Sequence, residues 1–93
     1  MSYYLKDPAS VAEYQLDWSP WLGGAVTLTA SSWTISPAES GGMQRLTDSL
    51  EGAKTTLRTS GGAAGKVYRA TNRVDLSDGR REERTLAVRV EDR

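Results

Sequence analysis

Apolar and polar residues alternate with a period of two along much of the chain, most clearly between Gly61 and Val90. Tyr68, Ala70, Val74 and Leu76 share one face of an expected strand, while Val67, Arg69, Thr71, Arg73 and Asp75 share the other. Beyond Ser77-Asp78-Gly79, a turn signal, Leu86, Val88 and Val90 alternate with Thr85, Ala87 and Arg89. The pattern also selects the turn length. A two-residue Asp78-Gly79 turn would point Val74 into the core while Leu86 and Val88 faced water. A three-residue loop from Ser77 to Gly79 keeps the apolar faces together. It would be a type I turn closed by Gly79 in the left-handed region as a bulge. The same register sets Asp75 opposite Arg81 and Arg73 opposite Glu83, opposite charges on the wet face worth a few tenths of a kcal/mol per pair.

The rest of the chain reads in the same way. Tyr14, Leu16 and Trp18 alternate with Glu13, Gln15 and Asp17, as in a half-buried strand. Pro20 and Gly23-Gly24 bracket an apolar loop at Trp21-Leu22. Val26 and Leu28 alternate with Thr27 and Thr29, and Trp33 and Ile35 continue in the opposite phase. A bulge, or a crossing between sheets, is therefore expected at Ala30-Ser31-Ser32. Pro37 ends this strand. Met43 to Leu50 suits either helical spacing or period two and is read as a short strand. From Ala53 to Thr59, the residues Thr55, Leu57 and Thr59 share one face. About seven short strands, with turn signals every 8–12 residues, predict an all-β fold, an antiparallel β-sandwich. Residues 11–93 form this single domain, preceded by an extended arm over residues 1–10 in which Asp7-Pro8 disfavours helix.

Composition narrows the chemistry. The 93 residues suffice for one domain. There is no cysteine, hence no disulfide framework or thiolate metal site, and no histidine, the residue most used for acid–base work near neutral pH. Twelve basic and twelve acidic residues balance, which argues against general nucleic-acid binding. No run of 18 apolar residues suggests a membrane span, and the first ten residues lack a signal-peptide core. Glu82-Glu83 beside Arg80, Arg81 and Arg84 reads as a solvated strand end. Asp17 reads as a strand-end polar residue. Asp75, Asp78 and Glu82 lack the spacing of a calcium loop. Gly61-Gly62 with Gly65-Lys66 lacks the Ser or Thr and the helix of a phosphate loop. No catalytic residue, metal or cofactor is expected.

The three tryptophans and four tyrosines carry the aromatic packing, because phenylalanine is absent. Trp18, Trp33, Leu57, Tyr68, Ala70, Leu86 and Val88 form the expected core. Trp21, flanked by Pro and Gly, either caps the core or anchors a partner. Tyr3, Tyr4 and Leu5 on the arm form an apolar docking segment, unless the arm folds back as an edge strand of its own sheet.

Gly62, Gly65 and Tyr68, spaced G-x-x-G-x-x-Y, resemble the tyrosine corner of immunoglobulin-like sandwiches, although the inter-sheet cysteines of antibody domains are absent. By that likeness Trp33 would be the inter-sheet tryptophan. The opening LKDPASVAEYQLDWSPWL, the central SSWTI and the closing YRATNRVDLSDGRREERTLAVRV resemble a family of small tailed-phage virion proteins labelled fiber-tail or head-tail adaptors. The resemblance runs through Asp17, Trp18, Trp21 and Leu22 and through Thr71, Asn72 and Arg73. It implies a non-enzymatic structural role at the neck or tail, in several copies arranged as a ring. The partners implied are neck, tail or tail-fiber proteins, with portal and capsid as further candidates, and neither nucleic acid nor membrane. The implied location is the virion, after synthesis in the bacterial cytoplasm. A capsid decoration protein is one alternative. A carbohydrate-binding or adhesion module is another, and it would show a planar row of exposed Trp and Tyr.

Overall fold

The computed structural model describes residues 2–92, and side chains from Tyr4 onward. Seven strands follow one another: β1 (Ser2–Lys6), β2 (Ala12–Asp17), β3 (Leu28–Ser36), β4 (Gln44–Glu51), β5 (Lys54–Ser60), β6 (Val67–Leu76) and β7 (Arg81–Val90), with one 3₁₀ turn at Ser19–Trp21. They form two sheets, a four-stranded one in the order β1-β7-β6-β3 and a three-stranded one in the order β2-β5-β4. β2, β5 and β4 take the places of strands B, E and D of an immunoglobulin-like sandwich, and β3, β6 and β7 those of C, F and G. The molecule is elongated, 44 × 21 × 18 Å.

Alternation builds the core between the sheets. Tyr68, Ala70, Asn72, Val74 and Leu76 turn inward from β6, and Leu86, Val88 and Val90 from β7. Tyr14, Leu16, Thr55, Leu57 and Thr59 meet them from the other sheet. Trp18, Trp33, Leu57, Tyr68, Leu86 and Val88 are all buried. The β6–β7 hairpin has the three-residue loop. Asp75 lies across from Arg81 and Arg73 from Glu83, Gly79 has φ +91°, and its N–H donates to Leu76 C=O at 3.0 Å. Both charge pairs close at 2.8 Å. The tyrosine corner forms as well. The Tyr68 hydroxyl accepts from Ala63 N–H (2.9 Å) and donates to Glu39 (3.0 Å), whose carboxylate also binds Lys66 (2.9 Å). Gly62 is required here. Its φ is +113°, and a Cβ would stand 2.7 Å from Val90 Cγ2.

Several expectations change. Residues 2–6 are not a free arm, because β1 pairs with β7 and is the edge of its own sheet. That pair is parallel, so the sandwich is not wholly antiparallel. The reason lies in Lys6, which is 2% exposed. Its ammonium donates to the carbonyls of Asp7 (2.9 Å), Ser10 (2.7 Å) and Gly61 (2.7 Å), so all three of its protons are placed. A buried cation is tolerated only with such partners, and here they tie the chain start to the β5–β6 loop. The bulge in β3 falls between Leu28 and Ala30, one residue before the expected stretch, and it reconciles the inward Leu28 with the inward Trp33. β3 begins at Leu28, so Val26 and Thr27 belong to the preceding loop. The stretch read as a short strand over Met43–Leu50 is strand from Gln44 to Glu51, with Met43 buried just before it and a second bulge at Leu46 that leaves this side chain exposed.

Candidate docking site

The site grows from the end of β2. Asp17 Oδ1 accepts Ser19 N–H (2.9 Å), a bond that holds the carboxyl below its usual range. Trp18 N–H donates to Ala53 C=O (2.8 Å) and so fixes the start of the 3₁₀ turn to the β4–β5 connection. Pro20 presets φ within the turn. Trp21 N–H then returns to Trp18 C=O (2.9 Å) and Leu22 N–H to Ser19 C=O (3.2 Å). The sequence D-W-S-P-W-L is thus a rigid corner that buries one indole and presents another.

The buried indole of Trp18 donates from Nε1 to Asn72 Oδ1 (2.9 Å). Thr55 Oγ1 donates to the same oxygen (2.7 Å), and Asn72 Nδ2 donates to Ser31 Oγ (2.9 Å) and Ser32 C=O (3.0 Å). All four positions of this buried amide are filled, by partners from both sheets. The two stretches singled out in the sequence, at 17–22 and 71–73, therefore meet through one hydrogen bond.

The presented indole of Trp21 is 47% exposed and meets Trp18 edge-on, with ring centroids 5.8 Å apart. The Arg84 guanidinium lies 4.4 Å from the Trp21 centroid and 5.8 Å from that of Trp18, a cation–π arrangement. Arg84 lies across from Asn72 in the β6–β7 ladder. Among the described residues it has no carboxylate partner, whereas Arg73, Arg80, Arg81 and Arg89 each have one. Trp21 and Arg84 together form a fixed aromatic plate with a free cation on it. The sequence pointed to Trp21 and missed Arg84. Its signal was a charged residue in phase with Leu86, Val88 and Val90. Asn72 carried the same signal, being the polar residue between Ala70 and Val74.

The residues expected on the arm separate. Tyr4 is half-buried, its ring 5.0 Å from that of Tyr14. Leu5 points outward and is 49% exposed, lying across Arg89 from Val67, which is 44% exposed. Tyr3 pairs with Ala87 through its backbone, and its side chain lies outside the described residues. The structure does not bring Leu5 and Trp21 into one patch. Among the described residues no planar aromatic row is seen, because Trp18 and Trp33 are buried and Trp21 is the one exposed tryptophan. Among the described residues, no three acidic side chains converge on a point that would hold a metal.

A profile of the family described as podophage GP4 fiber-tail adaptor protein gp77 matches residues 6–89. The chain belongs to this family of phage structural adaptors. No curated protein matches it. The matched span contains the whole of the adaptor's Trp18–Trp21 corner, Asn72 and Arg84, and it begins after Leu5.

Proposed function

We propose that the protein joins a tail fiber to the tail of a podophage particle as a passive, pre-shaped connector, without catalysis. The observation that carries this reading is Trp21, exposed yet fixed. A large rigid aromatic beside an arginine is the composition of an interface hot spot, and little side-chain freedom remains to be lost when it docks. Family membership over 6–89 supplies the setting. In this reading Trp21 and Arg84 form one contact, and the Leu5–Val67 strip on the outer face of the four-stranded sheet forms a second. Tyr4 contributes by holding β1 against Tyr14, and Tyr3 belongs to the same strand as Leu5. Two separate contact regions suit a protein that holds two neighbours, and several copies would stand in a ring at the neck or tail of the virion.

The test is a particle in which this chain carries Trp21→Ser. The purified variant should fold, losing about 1–2 kcal/mol for the half-buried ring. Particles assembled with it should carry few fibers. Wild-type fiber occupancy with the folded variant would refute the role given to Trp21.

A further inference from the structure

The two sheets expose four edge strands, β1 and β3 in one and β2 and β4 in the other. Edge strands are normally blunted by charge, proline, bulges or shortness. β4 carries Arg45, Asp48 and Glu51 and a bulge at Leu46. β2 carries Glu13 and Asp17. β1 has five residues and runs into Asp7-Pro8. β3 differs, since residues 30–36, Ala-Ser-Ser-Trp-Thr-Ile-Ser, contain no charge, no proline and no bulge.

The backbone groups left open on β3 follow from the hairpin. Leu76 N–H donates to Arg80 C=O (2.8 Å). In an antiparallel ladder this turns even-numbered residues of β6 toward β7 and odd-numbered ones toward β3. Asp75, Arg73, Thr71 and Arg69 thus bond Ala30, Ser32, Thr34 and Ser36. The N–H and C=O groups of Ser31, Trp33 and Ile35 are left on the free side. In strands C, F and G of immunoglobulin-like sandwiches this is the edge to which variable-type domains add further strands.

We infer that this edge is a self-association surface and that its occupant is β3 of a second copy, running antiparallel. The register that uses every open group is centred on Trp33, with Ser31 opposite Ile35 of the second copy. On the wet face this sets Ser32 against Thr34 of the other copy, twice by symmetry, and Ala30 against Ser36. Hydroxyl-bearing pairs of this kind are favourable in antiparallel sheets, and no like charges are opposed. A β4 or β2 edge pairing with itself would bring charged strands together. The formal net charge of zero leaves no long-range repulsion against the approach of two copies. The result would be a two-fold dimer with one continuous eight-stranded sheet, whichever virion component the protein joins.

Sedimentation equilibrium of the full chain, from micromolar to millimolar concentration, should show a dimer. Ser32→Lys with Thr34→Lys places lysine against lysine twice and should raise the dissociation constant roughly tenfold or more, with the melting temperature of the dilute protein unchanged. Ser32→Lys with Thr34→Glu places lysine against glutamate in the same register and should restore the dimer. A wild-type chain that stays monomeric at millimolar concentration overturns the inference. So does a double-lysine variant that dimerises like wild type, or one whose dissociation constant matches that of the Lys/Glu variant.

Discussion

Replacing Asn72 by alanine tests how the two sheets are locked. The amide makes four hydrogen bonds, to Trp18, Thr55, Ser31 and Ser32, and is fully buried. At about 1 kcal/mol net for each bond, the direct loss is roughly 4 kcal/mol. Ser31, at the sheet margin, is partly exposed and can turn to water, which lowers the figure. Trp18 Nε1 cannot do so and would remain buried without an acceptor, which raises it by about 1–3 kcal/mol. A cost of about 3–5 kcal/mol follows. A chain of 93 residues is expected to hold roughly 5–14 kcal/mol in all. The melting temperature should therefore fall by at least about 12 °C. Urea titration followed by tryptophan fluorescence measures the change directly. A double-mutant cycle with Trp18→Phe then isolates the inter-sheet bond. Once Asn72 is gone, removing the indole N–H also removes the orphan, so the two changes should couple by about 1 kcal/mol or more. A cost below about 1 kcal/mol for Asn72→Ala, or additive effects in the cycle, would refute this account of the lock.

Other outcomes follow from the same structure. Lys6→Ala leaves the carbonyls of Ser10 and Gly61 without their shared donor and should cost about 3 kcal/mol in chemical denaturation; an unchanged midpoint would show that the ammonium is not needed to hold the chain start. For the same reason deletion of residues 1–7 should lower the melting temperature, whereas Leu5→Glu should leave it unchanged and weaken only contacts made by the outer face, as read by incorporation into particles. The carboxyls of Glu39, Asp17 and Asp78 are all held below their usual range: Glu39 first by Lys66 and then by the Tyr68 hydroxyl, and Asp17 and Asp78 first by backbone N–H groups. Their folded forms therefore bind protons less readily than the unfolded chain does, so the stability they lend is present above about pH 4.5 and is lost as pH falls through their lowered values. Glu39→Gln should remove its share of that acid sensitivity in a series of thermal melts; a stability–pH profile identical to wild type would rule the Glu39 contribution out.

Much of the sandwich was legible along the chain because alternation is local. A residue's phase decides its face, so the inward sets of β2, β5, β6 and β7, the register of the last hairpin and a break in phase before Trp33 could all be worked out from neighbours in sequence, while the pairing with β6 decided that the break is a bulge and not a crossing between sheets. Tyr68 and its glycines were legible for the same reason, since the hydroxyl returns to Ala63, five residues upstream. Hydropathy misleads where a polar group is satisfied from far away. Read locally, Leu5 belongs inside and Lys6 outside. The fold reverses them, because the lysine finds the carbonyl of Gly61, 55 residues on, and no short-range pattern encodes that meeting. Asn72 sits in a core phase for a like reason, its partners coming from β3, β5 and the end of β2. Arg84 also has a core phase. It escapes burial because the face it points to is closed by the Trp18–Trp21 corner and not by another strand, and its side chain ends against an indole. Which strands finish as edges, and so which backbone groups stay unpaired, depends on the order of strands in each sheet, a property of the assembled chain that no single segment carries.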